Sequence, residues 1–311
     1  MKTILVTGGN GMVGHAFQKI QNEYTYRFIF LSRKDGDLSV FSECKKIFEK
    51  YTPNVVIHLA ANVGGLYKNM NFKVDMFESN IQINLNVLKC CYLFDVEKVV
   101  SCLSTCIFPD QTEYPITEKD LHNGPPHFSN DAYAYAKRML DVHSRAYFQQ
   151  YGKKFVSVIP TNIYGEHDNY HLEDAHVIPA LIHKCYLSKK EGKDFAVFGS
   201  GKPLRQFIYS VDLAKLMMWC VENYEDVVPI ILSPNESDEI SIGEVARQIA
   251  KCFDYDDRIS FDTSRSDGQY KKTASNQKLI DLYGEYKFTS LSDGISKSVE
   301  WFQKNYNILR K

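Results

Sequence analysis

The sequence is almost neutral and contains no long apolar run. Its 37 Lys and Arg residues nearly balance 38 Asp and Glu residues, which gives a formal net charge of −1. A net charge so close to zero provides no basic field that would attract nucleic acid or an acidic membrane surface. The apolar stretches are also far shorter than the roughly 20 residues that cross a bilayer. Neither nucleic acid nor a membrane is therefore an expected partner.

Cysteine pairs with metal-binding or redox spacing are also missing. None of the eight cysteines belongs to a Cys-x-x-Cys pair, and most lie inside apolar, periodic segments. This is typical of buried free thiols in a reducing compartment. His167, His171 and His176 lie close together in the sequence, but no cysteine or carboxylate set completes a tetrahedral zinc site, so we expect no metal. Because the first strand begins at Thr3, we expect no signal peptide and a cytoplasmic protein.

Short apolar runs alternate with amphipathic segments in the first half of the chain. The runs, rich in Val, Ile and Phe, predict strands at residues 4–7, 27–32, 55–60, 99–104 and 155–160. The segments between them predict helices at residues 12–21, 41–51, 75–95 and 131–151. This alternation predicts an α/β fold, a Rossmann-type doubly wound parallel sheet. Ligands are expected at the carboxyl ends of its strands.

The sequence changes character after Gly165. It becomes more polar and richer in histidine, and a glycine-rich turn follows at residues 198–203. Further along, the pattern predicts a strand at 258–262 and amphipathic helices at 241–253 and 291–305. We therefore predict two units, which the length of the chain allows. They are a dinucleotide-binding domain of residues 1–165 and 206–233 and a smaller α/β substrate-binding lobe of residues 166–205 and 234–311.

Three glycines follow the first strand and precede the first helix. Gly8 permits a tight turn, Gly11 lets the backbone approach a pyrophosphate, and Gly14 lets the helix pack closely on the sheet. The pyrophosphate would then lie at the positive amino end of the helix, where free N–H groups need acceptors. The context of a strand before the glycines and a helix after them predicts a dinucleotide cofactor.

The end of the second strand distinguishes between the two nicotinamide cofactors. An NAD site usually has an acidic residue there, which holds the ribose 2′-hydroxyl. Here Ser32 and Arg33 occupy that place, and a hydroxyl and a guanidinium can donate hydrogen bonds to a 2′-phosphate. NADP(H) is therefore favoured, although the carboxylates of Asp35 and Asp37 lie close by in the sequence.

A Tyr-x-x-x-Lys pair and a serine at a strand end form the candidate catalytic group. Tyr133 and Lys137 are four residues apart and so share one helix face, whereas Tyr135 faces elsewhere. We predict that the Lys137 ammonium lowers the pKa of the Tyr133 phenol from about 10 toward a useful range. Ser104, at the end of the fourth strand, could donate to the same substrate carbonyl as Tyr133.

These residues resemble the extended short-chain dehydrogenase/reductase family and, more narrowly, its GDP-L-fucose synthases. The glycine motif and Tyr133 with Lys137 mark the superfamily. Other stretches are more specific to the fucose synthases, above all STCIFP, HDN and HVIP. The matching stretches are residues 6–14 (VTGGNGMVG), 58–65 (HLAANVGG), 104–109 (STCIFP), 160–165 (PTNIYG), 167–169 (HDN), 176–179 (HVIP), 205–210 (RQFIYS) and 266–268 (SDG).

The resemblance implies a two-stage reaction on GDP-4-keto-6-deoxy-D-mannose. Epimerisation at C3 and C5 would precede hydride transfer from NADPH to C4, which gives GDP-L-fucose. Cys106 is similar to the base that the family uses for epimerisation, and His176 to its acid. The resemblance also implies a set of cofactor-binding residues, namely Gly8, Gly11, Met12, Val13, Gly14, Arg33, Asp37, Leu38, Ala60, Lys137, Pro160, Asn162, Ile163 and His176.

Substrate-binding residues and an interface are also implied by the resemblance. Lys184, Phe198, Arg205 and Asp267 correspond to the family's substrate-binding positions, although Phe198 replaces the usual tryptophan and so lacks an indole N–H donor. A salt bridge between domains is the alternative role for Arg205. The family pairs its two long helices in a homodimer, and here the apolar residues of these helices include Ile81, Ile83, Leu85, Val87, Leu88, Met139 and Leu140.

Other functions on the same scaffold remain open. A 4-epimerase or a simple 4-reductase of another nucleotide sugar would use much of the same machinery. A 4,6-dehydratase usually has acidic groups after its Ser or Thr, where this chain has Thr105 and Cys106. A non-catalytic NADPH-sensing module would not need the proton donor that Tyr133 provides.

Overall fold

The computed structural model describes residues 1–265, 267 and 269–309, so Ser266 and Gly268 of the 266–268 motif lie outside the described residues. The strands are β1 (Thr3–Thr7), β2 (Arg27–Phe30), β3 (Val55–His58), β4 (Lys98–Cys102), β5 (Lys154–Pro160), β6 (Asn162–Tyr164), β7 (Phe195–Phe198), β8 (Leu204–Arg205), β9 (Phe207–Tyr209), β10 (Ile230–Leu232), β11 (Ile240–Ser241) and β12 (Ile259–Asp262). The helices are α1 (Met12–Ile20), α2 (Phe41–Tyr51), α3 (Leu66–Asn71), α4 (Lys73–Leu93), α5 (Asp131–Tyr151), α6 (Val177–Glu191), α7 (Ser210–Asn223), α8 (Ile242–Cys252), α9 (Gln277–Tyr283) and α10 (Leu291–Asn305).

Six of the strands form one parallel sheet in the order β10-β5-β4-β3-β1-β2. The chain runs outward from β1 to β2 and then crosses back over β1 to β3, so the order reverses beside β1. In open α/β sheets this reversal opens the crevice that holds the ligand. The predicted Rossmann-type fold is confirmed.

Apolar residues cover both faces of this sheet. Along β1, Ile4 and Val6 pack in the core that includes α1 and α7, and Leu5 packs in the opposite core with α2, α4 and α5. Near-continuous apolar strands are expected when helices cover both faces of a parallel sheet. Burial on both faces holds the strands in place, so the loops at their carboxyl ends can carry polar groups without disturbing the core.

A third core lies in the second half of the chain. It packs α6, α8 and α10 around β7 and β12, which pair in parallel. The predicted elements at 241–253, 258–262 and 291–305 occur there with small shifts at their ends. Helix α6 was not predicted, because Pro179 interrupts its apolar pattern, although a proline in the first turn of a helix costs no hydrogen bond. The division into two domains stays a prediction.

Among the described residues, no helix is both long and apolar enough to cross a membrane.

Candidate active site

The glycine loop between β1 and α1 has the geometry that each predicted role requires. Gly8 has a φ of +69°, a conformation that glycine adopts without strain. A Cβ on Gly14 would lie 2.4 Å from the carbonyl oxygen of Gly9, so only glycine allows this packing. Gly11 immediately precedes α1, and no side chain of the described residues caps this end of the helix. The N–H groups of Met12 and Val13 can therefore face a phosphate.

The loop after β2 leaves the Arg33 side chain exposed while both nearby carboxylates bind within the loop. Asp35 accepts hydrogen bonds from the N–H and hydroxyl of Ser32, at 2.8 and 2.9 Å. Asp37 accepts two hydrogen bonds from Ser39, which lower the pKa of its carboxyl group. The Ser32 hydroxyl is thus a donor to Asp35, and the exposed Arg33 guanidinium remains available to a 2′-phosphate.

The other predicted cofactor-binding residues lie at the same edge of the sheet. Ala60 follows β3, and its N–H donates to the Thr7 hydroxyl oxygen at 3.0 Å. Asn162 donates from its side chain to the carbonyl oxygen of Gln206 at 2.9 Å. Leu38 is buried behind the β2 loop. Pro160 ends β5, and Ile163 lies in the short strand β6. These positions line the carboxyl edge, as predicted for a ligand site.

Four of the five predicted catalytic residues meet at the end of β4. This strand ends at Cys102, earlier than predicted, and Ser104 begins a short 3₁₀ turn whose Cys106 N–H donates to the Ser104 hydroxyl oxygen at 3.4 Å. From α5, the buried Lys137 donates through Nζ to the carbonyl oxygen of Cys102 at 2.8 Å. The Lys137 ammonium lies 5.8 Å from the centre of the Tyr133 ring. The fold therefore joins α5 to the end of β4, directly before the turn that carries the thiol.

The pKa of Tyr133 is raised well above its ordinary value, chiefly by burial and then by the nearby Cys106 and Cys102. The prediction that Lys137 lowers this pKa is wrong. The Lys137 ammonium is itself desolvated, which lowers its own pKa, and it is held by the Cys102 carbonyl. Tyr133 therefore keeps its proton near neutral pH, which suits a proton donor better than a base.

Burial also raises the pKa of the Cys106 thiol, so this residue needs more help to act as a base than its ordinary pKa implied. Lys272, the Ser104 hydroxyl and Lys137 act in the opposite direction. Lys272 is largely desolvated, which lowers its pKa, and it interacts electrostatically with both Cys106 and Arg205. Lys272 is thus close enough to stabilise the Cys106 thiolate and to be affected by the positive charge of Arg205, the predicted substrate-binding arginine.

His176, the fifth predicted catalytic residue, is exposed directly before α6. The segment that leads to it packs on the loop after β3, where Gly65 N–H donates to the carbonyl oxygen of Asp174 at 2.9 Å. Within the described part of the chain, no contact joins the His176 side chain to Cys106 or Tyr133. Its role as the acid stays a prediction.

Two of the predicted substrate-binding residues form an exposed aromatic and cationic group. The Lys184 ammonium lies 3.3 Å from the centre of the Phe198 ring, which is 50% exposed. The Arg265 guanidinium lies 5.3 Å from the same ring and helps to lower the pKa of Lys184, after burial. Two cations beside one exposed ring form a group that an anion bearing an aromatic base could bind.

The other two predicted substrate residues hold neighbouring loops. Arg205 donates to the carbonyl oxygens of Leu204 and Gln269, both at 2.7 Å, and among the described residues it makes no ion pair. Asp267 accepts hydrogen bonds from the N–H and hydroxyl of Ser200, at 2.6 and 2.7 Å. The salt bridge considered as the alternative role of Arg205 is therefore not formed among the described residues. A third hydrogen bond, to the Tyr270 carbonyl at 3.5 Å, leaves two of the five Arg205 N–H donors outside these bonds.

Two of the three histidines that lie close together in the sequence have separate partners. His167 stacks on His15 with ring centres 3.8 Å apart, while His171 Nδ1 accepts backbone hydrogen bonds from Glu173 and Asp174. Over the residues that the structure describes, no group of three or more His, Cys, Asp and Glu is placed to hold a metal ion.

Comparison with known proteins places this geometry in a family. The sequence profile described as the NAD dependent epimerase/dehydratase family matches residues 4–233. The chain belongs to this family. Within it, the GDP-L-fucose synthase of Dictyostelium discoideum is 56% identical over 313 residues, covering 100% of this chain and 98% of the relative. The probable GDP-L-fucose synthase of Drosophila melanogaster is 50% identical, with 100% of both covered.

A solved structure agrees with these relatives. A GDP-L-fucose synthetase from Naegleria fowleri bound to NADP superimposes with a TM-score of 0.95 at 53% identity, covering 100% of this chain and 95% of that chain. The resemblance that the sequence motifs indicated is therefore confirmed. The 4-epimerase, the simple 4-reductase and the sensor gain no support from these relatives.

Sequence reasoning missed two cations of this epimerase/dehydratase family member. Lys272 and Arg265 belong to a polar segment without helical or strand periodicity, so nothing in their spacing distinguishes them from solvated charges. Only the folded chain brings Lys272 to Cys106 and Arg265 to Phe198.

Proposed function

We propose that the chain is a bifunctional NADPH-dependent 3,5-epimerase and 4-reductase that converts GDP-4-keto-6-deoxy-D-mannose to GDP-L-fucose. One observation carries the proposal: Cys106 shares a single turn with Ser104, and Lys137 of α5 donates to Cys102, the last residue of the strand that leads into that turn. The thiol proposed as the base and the residues proposed for the reduction can therefore act on the same substrate carbonyl. Full-length similarity to GDP-L-fucose synthases supports this substrate.

The chain's residues fit a dinucleotide phosphate. The close packing at Gly14 leaves the amino end of α1 open to a pyrophosphate, and the exposed Arg33 suits a 2′-phosphate. NADPH, when bound, supplies the hydride that C4 accepts. Lys137 would hold the nicotinamide ribose, as the family resemblance implies.

The proposed reduction requires hydrogen-bond donors to the C4 ketone oxygen and a proton for the new alkoxide. Ser104 and Tyr133 would each donate a hydrogen bond to the ketone oxygen, which stabilises the charge that develops there. Tyr133 would then give its proton to the C4 oxygen. Its raised pKa means that the phenol holds that proton until the alkoxide, a far stronger base, forms.

The proposed epimerisation uses the same carbonyl. The protons on C3 and C5 are acidic because both carbons flank C4, and removal of either gives an enolate that the Ser104 and Tyr133 donors stabilise. Inversion needs a base on one face and an acid on the other, and these roles are assigned to Cys106 and His176. Lys272 would favour the Cys106 thiolate.

The test is NADPH oxidation with GDP-4-keto-6-deoxy-D-mannose in deuterated buffer, with the product identified by NMR. We expect GDP-L-fucose that carries deuterium at C3 and C5. Oxidation without label or inversion would indicate a simple 4-reductase and remove Cys106 and His176 from their roles. No oxidation at all would contradict the proposed function.

We further propose that the protein is a homodimer paired through α4 and α5. Of the apolar residues predicted for this interface, Val87, Leu88 and Leu140 are instead buried in the subunit core. An exposed apolar face nevertheless remains. It is formed by Val74, Phe77 and Leu85 of α4 and Tyr135, Met139 and Val142 of α5. A monomer mass in gel filtration at micromolar concentration would contradict this pairing.

A cytoplasmic location is part of the proposal. The eight cysteines are all free thiols, and a reducing compartment would keep them so.

A further inference from the structure

A path of buried polar side chains joins the glycine loop to helix α5. Thr7 at the end of β1, His58 at the end of β3 and Asn84 in α4 are 0%, 1% and 3% exposed. Thr7 Oγ1 lies 2.8 Å from His58 Nδ1, and His58 Nε2 lies 3.0 Å from Asn84 Oδ1. Asn84 Nδ2 donates to the carbonyl oxygen of Ala136 at 3.4 Å. The path therefore begins next to the glycine loop and ends at the residue before Lys137.

The hydrogen bonds along this path have one direction. Thr7 Oγ1 accepts from the N–H groups of Leu59 and Ala60, both at 3.0 Å, so its own hydrogen is left to donate to His58 Nδ1. The ring proton of His58 must then be on Nε2, where it donates to the Asn84 side-chain oxygen. The Asn84 amide hydrogens are left for the backbone of α5. Each side chain of the path therefore donates a hydrogen bond to the next group along it.

His58 stays neutral in this setting. Burial and the charge on Lys137 lower the pKa of His58 to about 3. A second ring proton would also point at the Thr7 oxygen, whose lone pairs are already used. The imidazole therefore bridges two groups without bringing a second positive charge close to Lys137.

We propose that His58 and Asn84 are positioning residues for the reduction, because they fix Tyr133 and Lys137 of α5 relative to the loop that holds the dinucleotide. The inference rests on the roles that the proposed function gives to those two residues. Hydride transfer is sensitive to distance, and a misplacement of about 1 Å can slow a step by roughly 100-fold. Local packing alone would not require a directional path between these two elements.

The first test replaces the donor at the end of the path. Asn84→Asp keeps an oxygen for His58 but puts a second oxygen against the Ala136 carbonyl, so α5 loses its hydrogen bond and is repelled. We expect single-turnover NADPH oxidation to slow by about 10- to 100-fold, with the Kd of NADPH changed less than about threefold. The control is Ser144→Ala, which removes another buried hydrogen bond of α5, from Ser144 Oγ to the Leu140 carbonyl at 2.8 Å.

The second test asks whether hydrogen-bond direction matters. His58→Gln retains one acceptor and one donor on a planar group, whereas His58→Leu retains neither. We expect His58→Gln to restore most of the single-turnover rate that His58→Leu loses. In Asn84→Asp, the new carboxylate can stabilise an imidazolium beside Lys137, so the pH profile of the rate should gain an ionisation that His58→Gln, combined with Asn84→Asp, removes.

The outcomes separate this inference from the proposed function. A wild-type chain that does not oxidise NADPH contradicts the proposed function. An active wild type with a normal rate in Asn84→Asp, or with equal rate losses in Asn84→Asp and Ser144→Ala, overturns the inference. NMR detection of a His58 proton on Nδ1 in place of Nε2 would overturn it as well.

Discussion

Tyr133 is the proton donor of the proposed reduction and Cys106 is the base of the proposed epimerisation, and burial affects the two residues in the same way. Burial raises the pKa of both groups, and each has a lysine close by. The lysines differ, because Lys137 is hydrogen-bonded to a backbone carbonyl, whereas Lys272 acts most strongly on the thiol. The same desolvation therefore suits one residue and opposes the other. A phenol that desolvation keeps protonated can still give its proton to an alkoxide, but a desolvated thiol needs a nearby cation before it can be a base.

Loss of the phenol should give the largest effect on reduction. In Tyr133→Phe, we expect single-turnover NADPH oxidation to fall by about 1,000-fold, because the C4 alkoxide loses its proton donor. Deuterium exchange at C3 and C5 should fall much less, since Cys106 remains and Ser104 still binds the ketone oxygen. Tyr151→Phe is the control, because Tyr151 is an exposed tyrosine at the carboxyl end of the same helix and lies outside the proposed interface. Equal losses of NADPH oxidation and of deuterium exchange in Tyr133→Phe would contradict the assignment of different residues to reduction and epimerisation.

The reverse pattern is expected at the thiol. Cys106→Ser should fold normally and lose C3 and C5 exchange by about 100-fold, because a hydroxyl is a far weaker base than a thiolate. NMR of the sugar protons in deuterated buffer measures this directly. Cys252→Ser, on the partly exposed face of α8, should exchange at the wild-type rate. Undiminished exchange in Cys106→Ser would remove Cys106 from the mechanism.

Lys272 provides a pH test of the epimerisation stage. Because its charge lowers the pKa of Cys106, Lys272→Met should raise that pKa further and reduce the thiolate fraction at any given pH. We expect exchange to be about tenfold slower at pH 7 and to recover as the pH rises, while Lys272→Arg keeps most of the rate.

A neighbouring lysine gives the matched control for this pH test. Lys271 lies 3.8 Å from Glu239 and is not among the groups that shift the pKa of Cys106, so Lys271→Met should leave the pH profile unchanged. A profile that shifts in both variants would mean that a general surface charge, not Lys272, controls the thiol.

Much of the fold was predictable because its signals are local. Apolar runs and glycine spacing identified the sheet strands and the turn at Gly8, and α2, α5 and α10 occur at the predicted boundaries. Each of these depends on periodicity within one segment. Helix α6 was missed because its proline and histidines hide its pattern, although its interior is apolar and buried.

The site was less predictable because its electrostatics depend on tertiary contacts. Four residue types meet at the end of β4 as expected, but the sign of the Tyr133 shift depends on burial, which spacing cannot give. Lys272 reaches Cys106 across more than 160 positions of the chain, and no local pattern connects them. Sequence thus predicted that Ser104, Cys106, Tyr133 and Lys137 meet, and the structure was needed to show how burial and Lys272 shift the pKa values of the thiol and the phenol.

The smallest expected effect comes from Phe198, a predicted substrate-binding residue that should affect epimerisation and reduction equally. Phe198→Trp restores an indole N–H and a larger ring beneath the Lys184 ammonium, so the GDP-sugar should bind more tightly. One neutral hydrogen bond corresponds to a KM about threefold lower, with kcat unchanged. Because binding precedes both stages, the KM for C3 and C5 exchange should fall by the same factor as the KM for NADPH oxidation. Phe198→Leu, which removes the ring, should raise both. A change confined to one assay would mean that Phe198 takes part in the chemistry of that half, and the contrast between Tyr133 and Cys106 would then extend to the substrate-binding residues.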